Sequence, residues 1–141
     1  MKLIKKLYVH LYKHKCVNHR VIMEKLITYQ KLGASFEDRY ALAEKYYELL
    51  FCLNSLKITE REIQLIAFTA IKGNITFANV REEFCKKFNT SAATVNNMIS
   101  RLRKLGILIK ESGKIKVIPK IVLNFDNDVV LQIKMGNGIS D

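Results

Sequence analysis

The sequence predicts a mainly α-helical fold with a small β-sheet, and three observations predict it. Between Arg20 and Leu105 apolar residues recur at three- and four-residue steps, broken by capping residues and glycines where helices should start and stop. After Gly106 the period changes to two short β-rich runs, Ile107–Glu111 and Lys114–Ile118, around Ser112-Gly113. A hydrophobic share of 49% over 141 residues rules out a disordered chain and provides for one domain with a core, or a small domain plus an extension.

Taken in order, Lys2–Lys15 places Leu3, Ile4, Leu7, Leu11 and His14 along one helical face with lysines around the rest. Three uses fit such a segment: a helix packed on the domain or on a partner copy, a basic arm tracking phosphate, or a membrane-surface helix. The last is disfavoured by the short apolar face and the lack of a Trp anchor. His10 and His14 stand one helical turn apart, and Cys16 and His19 carry further ligand atoms, but the spacing fits no zinc motif. Surface histidines are the simpler reading, and no metal or other cofactor is expected. Arg20–Lys31 continues helically until Gly33.

Ser35 is expected to open the next helix, with Glu37 and Asp38 in its first turn, where acids complement the helix dipole. Through Leu53 it carries Phe36, Tyr40, Ala43, Tyr47, Leu50 and Phe51 on one face, broadened by Leu42, Tyr46, Leu49 and Leu53. So wide an apolar surface must be covered, by the rest of the chain or by another subunit. Thr59-Glu60-Arg61-Glu62 reads as a capping box at the head of a helix that ends at Lys72-Gly73. Asn74–Phe77 is expected as a short strand, and Asn79–Phe88 as a helix with Val80, Phe84 and Phe88 on one face.

A tight turn at Asn89-Thr90 leads to the central helix. Ser91 caps it, and Val95, Met98, Ile99, Leu102 and Leu105 form its buried stripe. Its other face carries Ala93, Thr94, Asn96, Asn97, Ser100, Arg101 and Lys104, small or polar first and cationic later, until Gly106 stops the helix. Beyond the hairpin, Ile121–Phe125 and Val129–Met135 are expected as two further strands about Asp126-Asn127-Asp128, followed by a loose tail from Met135 to Asp141.

Two helices with a tight turn make a helix-turn-helix unit, and a hairpin after the second helix makes a wing. On Ser91-x-x-Thr94-Val95 followed by Leu102-x-x-Leu105-Gly106-Ile107-Leu108, the sequence resembles the winged helix-turn-helix superfamily, most nearly its MarR-type branch, over Thr59–Lys120. The expected organisation is then a helical N-terminal extension for packing or oligomerisation (residues 1–56), a winged domain (57–120) and a β-hairpin extension with tail (121–141). The β extension departs from the MarR-type pattern, which dimerises through helices at both chain ends.

Charge supports a polyanionic partner. The formal net charge is +11, distributed as +7 over residues 1–35, −2 over 36–71, +8 over 72–120 and −2 over 121–141. Cys16, Cys52 and Cys85 are odd in number and show no CxxC spacing, which points to reduced thiols in the cytoplasm. Lys6, His10, Lys13 and His14 interrupt the apolar region a signal peptide needs, and no stretch approaches the length of a membrane span. No Gly-rich phosphate loop or nucleophile constellation appears, so no enzymatic activity is expected.

The resemblance implies a winged-helix DNA-binding protein, a transcriptional regulator, with Ser91–Leu105 as recognition helix in the major groove of double-stranded DNA. Thr94, Asn96, Asn97, Ser100 and Arg101 would meet base edges, with Asn97 suited to adenine. Lys104 would meet phosphate, and Lys110, Lys114 and Lys116 in the wing (Ile107–Ile118) would hold the backbone or the minor groove. The half from Ala92 to Ser100 has no Arg or Lys, which lowers the expected sequence specificity. The alternative is an architectural adaptor that uses the fold in a larger assembly, such as a phage particle or a replication complex, facing nucleic acid or an acidic protein. Either role accommodates a homo-oligomer.

Overall fold

The computed structural model describes residues 36–127 and 129–131. Within them the chain forms α1 (Arg39–Leu53), α2 (Glu60–Lys72), α3 (Ala78–Phe88), α4 (Ala92–Lys104), β1 (Leu108–Glu111), β2 (Lys114–Val117) and a 3-10 turn at Pro119–Ile121. These elements belong to a compact unit that begins at Phe36. The expected helices in Lys2–Lys15 and Arg20–Lys31, the His10, His14, Cys16 and His19 group and the tail lie outside the described residues. No helix among the described residues is long and apolar enough to cross a membrane.

The start of α1 differs from expectation. Asp38, not Ser35, is the cap, its carboxylate accepting from the Ala41 amide at 2.8 Å, so Phe36 and Glu37 precede the helix. A carboxylate one residue outside the first turn serves a free amide directly, which a position inside the turn does not permit. Most of the apolar face of α1 is covered by the chain itself, with Ala43, Tyr46, Tyr47 and Phe51 buried as α1 packs on α2, while Leu53 stays 57% exposed. Phe68 of α2 is fully buried where three helices meet, stacked on Tyr40 of α1 and edge-on to Phe84 and Phe88 of α3.

The capping box at the head of α2 is formed. The Glu62 carboxylate accepts from the Thr59 amide at 2.9 Å, and the Thr59 hydroxyl accepts from the Glu62 amide at 3.3 Å. At the other end Gly73 closes the helix at φ +78°, a conformation that costs a side-chain-bearing residue free energy.

Asn74–Phe77 does not form the expected strand. The Ile75 amide donates to the Ile115 carbonyl at 2.9 Å, but the Ile115 amide is taken by the Thr76 hydroxyl at 2.6 Å, and Phe77 already caps α3. One residue pairs with β2 and a side chain completes the contact, so the edge of β2 is covered without a ladder.

The hairpin follows the expected pattern. Ser112 and Gly113 both take positive φ, 49° and 74°, as a two-residue turn matched to strand twist requires. Register pairs Leu108 with Val117 and Lys110 with Ile115 on one face, and Ile109 with Lys116 and Glu111 with Lys114 on the other. Leu108, Ile115 and Val117 enter the core beside Leu65, Val95 and Leu102.

The β extension is not present in the described residues. Pro119 opens a 3-10 turn, the Tyr47 hydroxyl donates to the Ile121 carbonyl at 3.1 Å, and Phe125 is buried against Tyr46 and Tyr47. Arg39 pairs with Asp126 at 3.0 Å. After the 3-10 turn the chain to Phe125 thus runs back over α1 as an irregular strap, held by the buried Phe125 ring and the Tyr47–Ile121 hydrogen bond. Val129–Leu131 is not a strand either, and the remainder of that run lies outside the described residues.

Candidate nucleic-acid interface

Ser91 caps α4 as the sequence indicates, its hydroxyl accepting from the Thr94 amide at 3.1 Å. Val95, Met98, Ile99 and Leu102 are buried, which turns the opposite face to solvent. Leu105 departs from the expected stripe: it is the C-cap residue, past the last turn of α4, and is 46% exposed.

Helical geometry sorts the exposed residues. At 3.6 residues per turn, Ala93, Asn97, Ser100 and Lys104 fall on one line directly opposite the buried stripe, and all are exposed. The alanines at the start keep this ridge slim. Asn96 and Arg103 lie along one flank of the ridge, Thr94 and Arg101 along the other.

Of the residues expected to meet bases, Asn97 and Ser100 stand on the open ridge. Asn96 is exposed beside it and accepts from Arg81 at 2.9 Å. Thr94 has its hydroxyl within 2.9 Å of Ser91, a local contact that belongs to the cap.

Arg101 requires a correction. Its guanidinium forms an ion pair with Glu62 and donates to the Lys57 carbonyl at 2.9 Å, so it ties α4 to the head of α2 instead of projecting from the ridge. The cause is the Glu62 carboxylate, only 3% exposed, which needs a cation to offset its burial. Burial pushes the Glu62 carboxyl upward, but the Arg101 guanidinium and the Thr59 amide and hydroxyl outweigh it, and the group ends below the usual carboxylate range.

Arg103, a residue not among those expected at the interface, projects on the opposite flank of the ridge from Arg101. Arg103, Lys104 and Ser100 from α4 face Leu108, Ile109 and Lys110 of β1 across a shallow groove. Its spacing was the available signal, since Arg103 stands three residues after Ser100 and seven after Asn96 on the same side of the helix. No such signal marks Arg81, which reaches Asn96 across the turn between α3 and α4.

On the hairpin, Lys110 and Lys114 are exposed and have no ion-pair partner among the described residues, as is also true of Arg103 and Lys104. Lys116 differs from the expected role, being paired with Glu111 on the same face of the hairpin. A half-exposed pair of this kind exchanges partners at little cost, so Lys116 is a weaker anion ligand than Lys110 or Lys114. Arg103, Lys104 and Lys110 along the groove, with Lys114 on the other face of the hairpin, concentrate positive charge beside a ridge of amide and hydroxyl groups that offers both donors and acceptors. Comparison of the chain with models of known protein families, with curated proteins and with solved structures gives no match.

Proposed function

We propose that this chain is a non-enzymatic winged-helix DNA-binding protein acting as a transcriptional regulator, with α4 in the major groove and the β1–β2 hairpin against the backbone or the minor groove. One observation carries this reading. The exposed line Ala93, Asn97, Ser100 and Lys104 shares Ser100 and Lys104 with the groove that holds Arg103 and Lys110. Asn97 offers a paired donor and acceptor to adenine, Ser100 adapts to either edge, and the cations at the helix end and on the hairpin meet phosphate.

The test is titration of the full chain with labelled duplexes of several sequences at moderate salt. Asn97→Ala is expected to cost a preferred duplex roughly 5- to 150-fold in affinity, the value of one base contact, and to leave binding to other duplexes nearly unchanged. Weak and equal binding to every duplex, unaffected by Asn97→Ala, would favour the second reading, an architectural adaptor that uses the same fold in a larger assembly. That reading draws on the absence of Arg and Lys between Ala92 and Ser100, together with the engagement of Arg101 by Glu62.

A further inference from the structure

Arg81 is the side chain that the proposed function leaves unused, and it is held in two directions at once. Its Nε donates to the Ile75 carbonyl at 2.9 Å, and its Nη1 donates to Asn96 Oδ1 at 2.9 Å. Ile75 is in turn fixed by the bond from its amide to Ile115 in β2. A chain of three hydrogen bonds therefore runs from the hairpin through Arg81 to the first half of α4. Its last member, Asn96, is exposed on the flank of the ridge and shares a cleft with Thr76, Ala78, Arg81 and Ala92.

The chemistry of the guanidinium fixes which way the Asn96 amide points. Arginine has five N–H donors and no acceptor, so the atom facing it must be the amide oxygen, and the amide NH2 is turned away from Arg81. A free asparagine pairs with adenine by accepting from N6 while donating to N7. Asn96 spends one lone pair of its oxygen on Arg81, and that contact holds the oxygen toward the guanidinium with the two amide donors on the side turned away from it. An asparagine whose donors lead is best matched by an edge that carries acceptors, and in the major groove guanine presents O6 and N7 side by side.

We propose that Arg81 is a positioning residue that turns Asn96 into a donor, so that the Asn96 position selects guanine while the neighbouring Asn97 remains free to select adenine. This rests on α4 being the groove-reading helix and adds to it a specificity that the sequence does not disclose. Two asparagines adjacent in the chain are thereby given different base preferences by one arginine on another helix.

The test is selection of duplexes from a randomised library by the full chain, comparing wild type with Asn96→Asp and Arg81→Met. Asn96→Asp retains the partner of Arg81 and replaces the outward NH2 with an outward oxygen. One position of the selected site is expected to move from guanine to a donor-bearing edge, cytosine N4 foremost, by about tenfold or more, while the other positions stay the same. Arg81→Met releases the amide and is expected to relax discrimination at that same position only. If Asn96→Asp selects the wild-type base at every position, the proposal is overturned, and this holds even if Arg81→Met proves too unstable to assay. Should Asn96→Asp shift one position while a folded Arg81→Met shifts none, Asn96 reads a base without help from Arg81, and the positioning role is refuted. A wild-type chain that binds no duplex overturns the DNA-binding reading itself, a result distinct from binding with unchanged selection.

Discussion

Replacing Phe68 by alanine is expected to remove about 3–5 kcal/mol of folding free energy, the range for truncating a buried aromatic side chain. Phe68 has no exposed surface, and its ring lies 6.0 Å from Tyr40, 5.4 Å from Phe84 and 6.4 Å from Phe88, centre to centre. It is the point where α1, α2 and α3 touch, so the space it leaves cannot be closed by moving one helix without parting it from another. A domain of this size has roughly 5–15 kcal/mol in total, so the variant should populate unfolded chains near physiological temperature. Urea denaturation followed by circular dichroism checks this: the midpoint should fall with little change in slope. Phe77→Ala is the control. Phe77 is 51% exposed and should shift stability by no more than about 0.5 kcal/mol. A loss below about 1 kcal/mol for Phe68→Ala would mean that the three helices do not share one core.

Arg101→Ala is the second large effect, expected at about 1–3 kcal/mol near neutral pH, the cost of leaving a buried acceptor without its charged partner. The higher values seen for fully buried pairs do not apply, because the Arg101 side chain is 47% exposed and solvent screens part of the interaction. The dependence on pH separates this effect from a general packing defect. In the wild type the folded-state pKa of Glu62 lies below its unfolded value. Its contribution is therefore fully present above the ordinary carboxylate pKa of about 4.3 and is lost as pH falls through the folded value. Without Arg101 the folded pKa is expected to rise, because burial is then opposed by the Thr59 hydrogen bonds alone, and the ionised carboxylate loses its charged partner at neutral pH. The difference between wild type and Arg101→Ala should thus be large near pH 7 and shrink toward about pH 3. Equal differences at both ends would show that Arg101 does not act through Glu62.

The features that were legible in the sequence are those set by neighbours along the chain. The Thr59–Glu62 capping box, the Ser91 cap, the turn at Ser112-Gly113 and the buried stripe Val95, Met98, Ile99 and Leu102 each depend on residues a few positions apart. Apart from the local shift of the α1 cap from Ser35 to Asp38 and the exposure of Leu105, what was not legible depends on residues brought together from a distance. Arg101 is drawn off the ridge by a carboxylate 39 residues earlier, and Asn96 is oriented by an arginine 15 residues earlier. The β-rich run Ile121–Phe125 has strand propensity, but Phe125 completes an aromatic nest on α1 and the Ile121 carbonyl is held by the Tyr47 hydroxyl. Tertiary burial overrode local propensity there, as it commonly does for short runs. The polar ridge could be read from periodicity because it is simply the face opposite a regular stripe. Which of its cations project and which are spent inside the fold could not, since that depends on Glu62 and Lys57 standing beside Arg101.

The most direct test of the proposed interface is the salt dependence of duplex binding by the wild-type chain and by a variant with Arg103, Lys104 and Lys110 all replaced by alanine. Each phosphate that is no longer neutralised should lower the slope of log affinity against log salt by about 0.9, so the triple variant should be shallower by about 2.7 if all three groups meet phosphate. Arg101→Ala, measured at a temperature where it is folded, should leave that slope unchanged. A triple variant with the wild-type slope, or an Arg101→Ala slope that falls while the triple variant's does not, would contradict the assignment of this surface to nucleic acid.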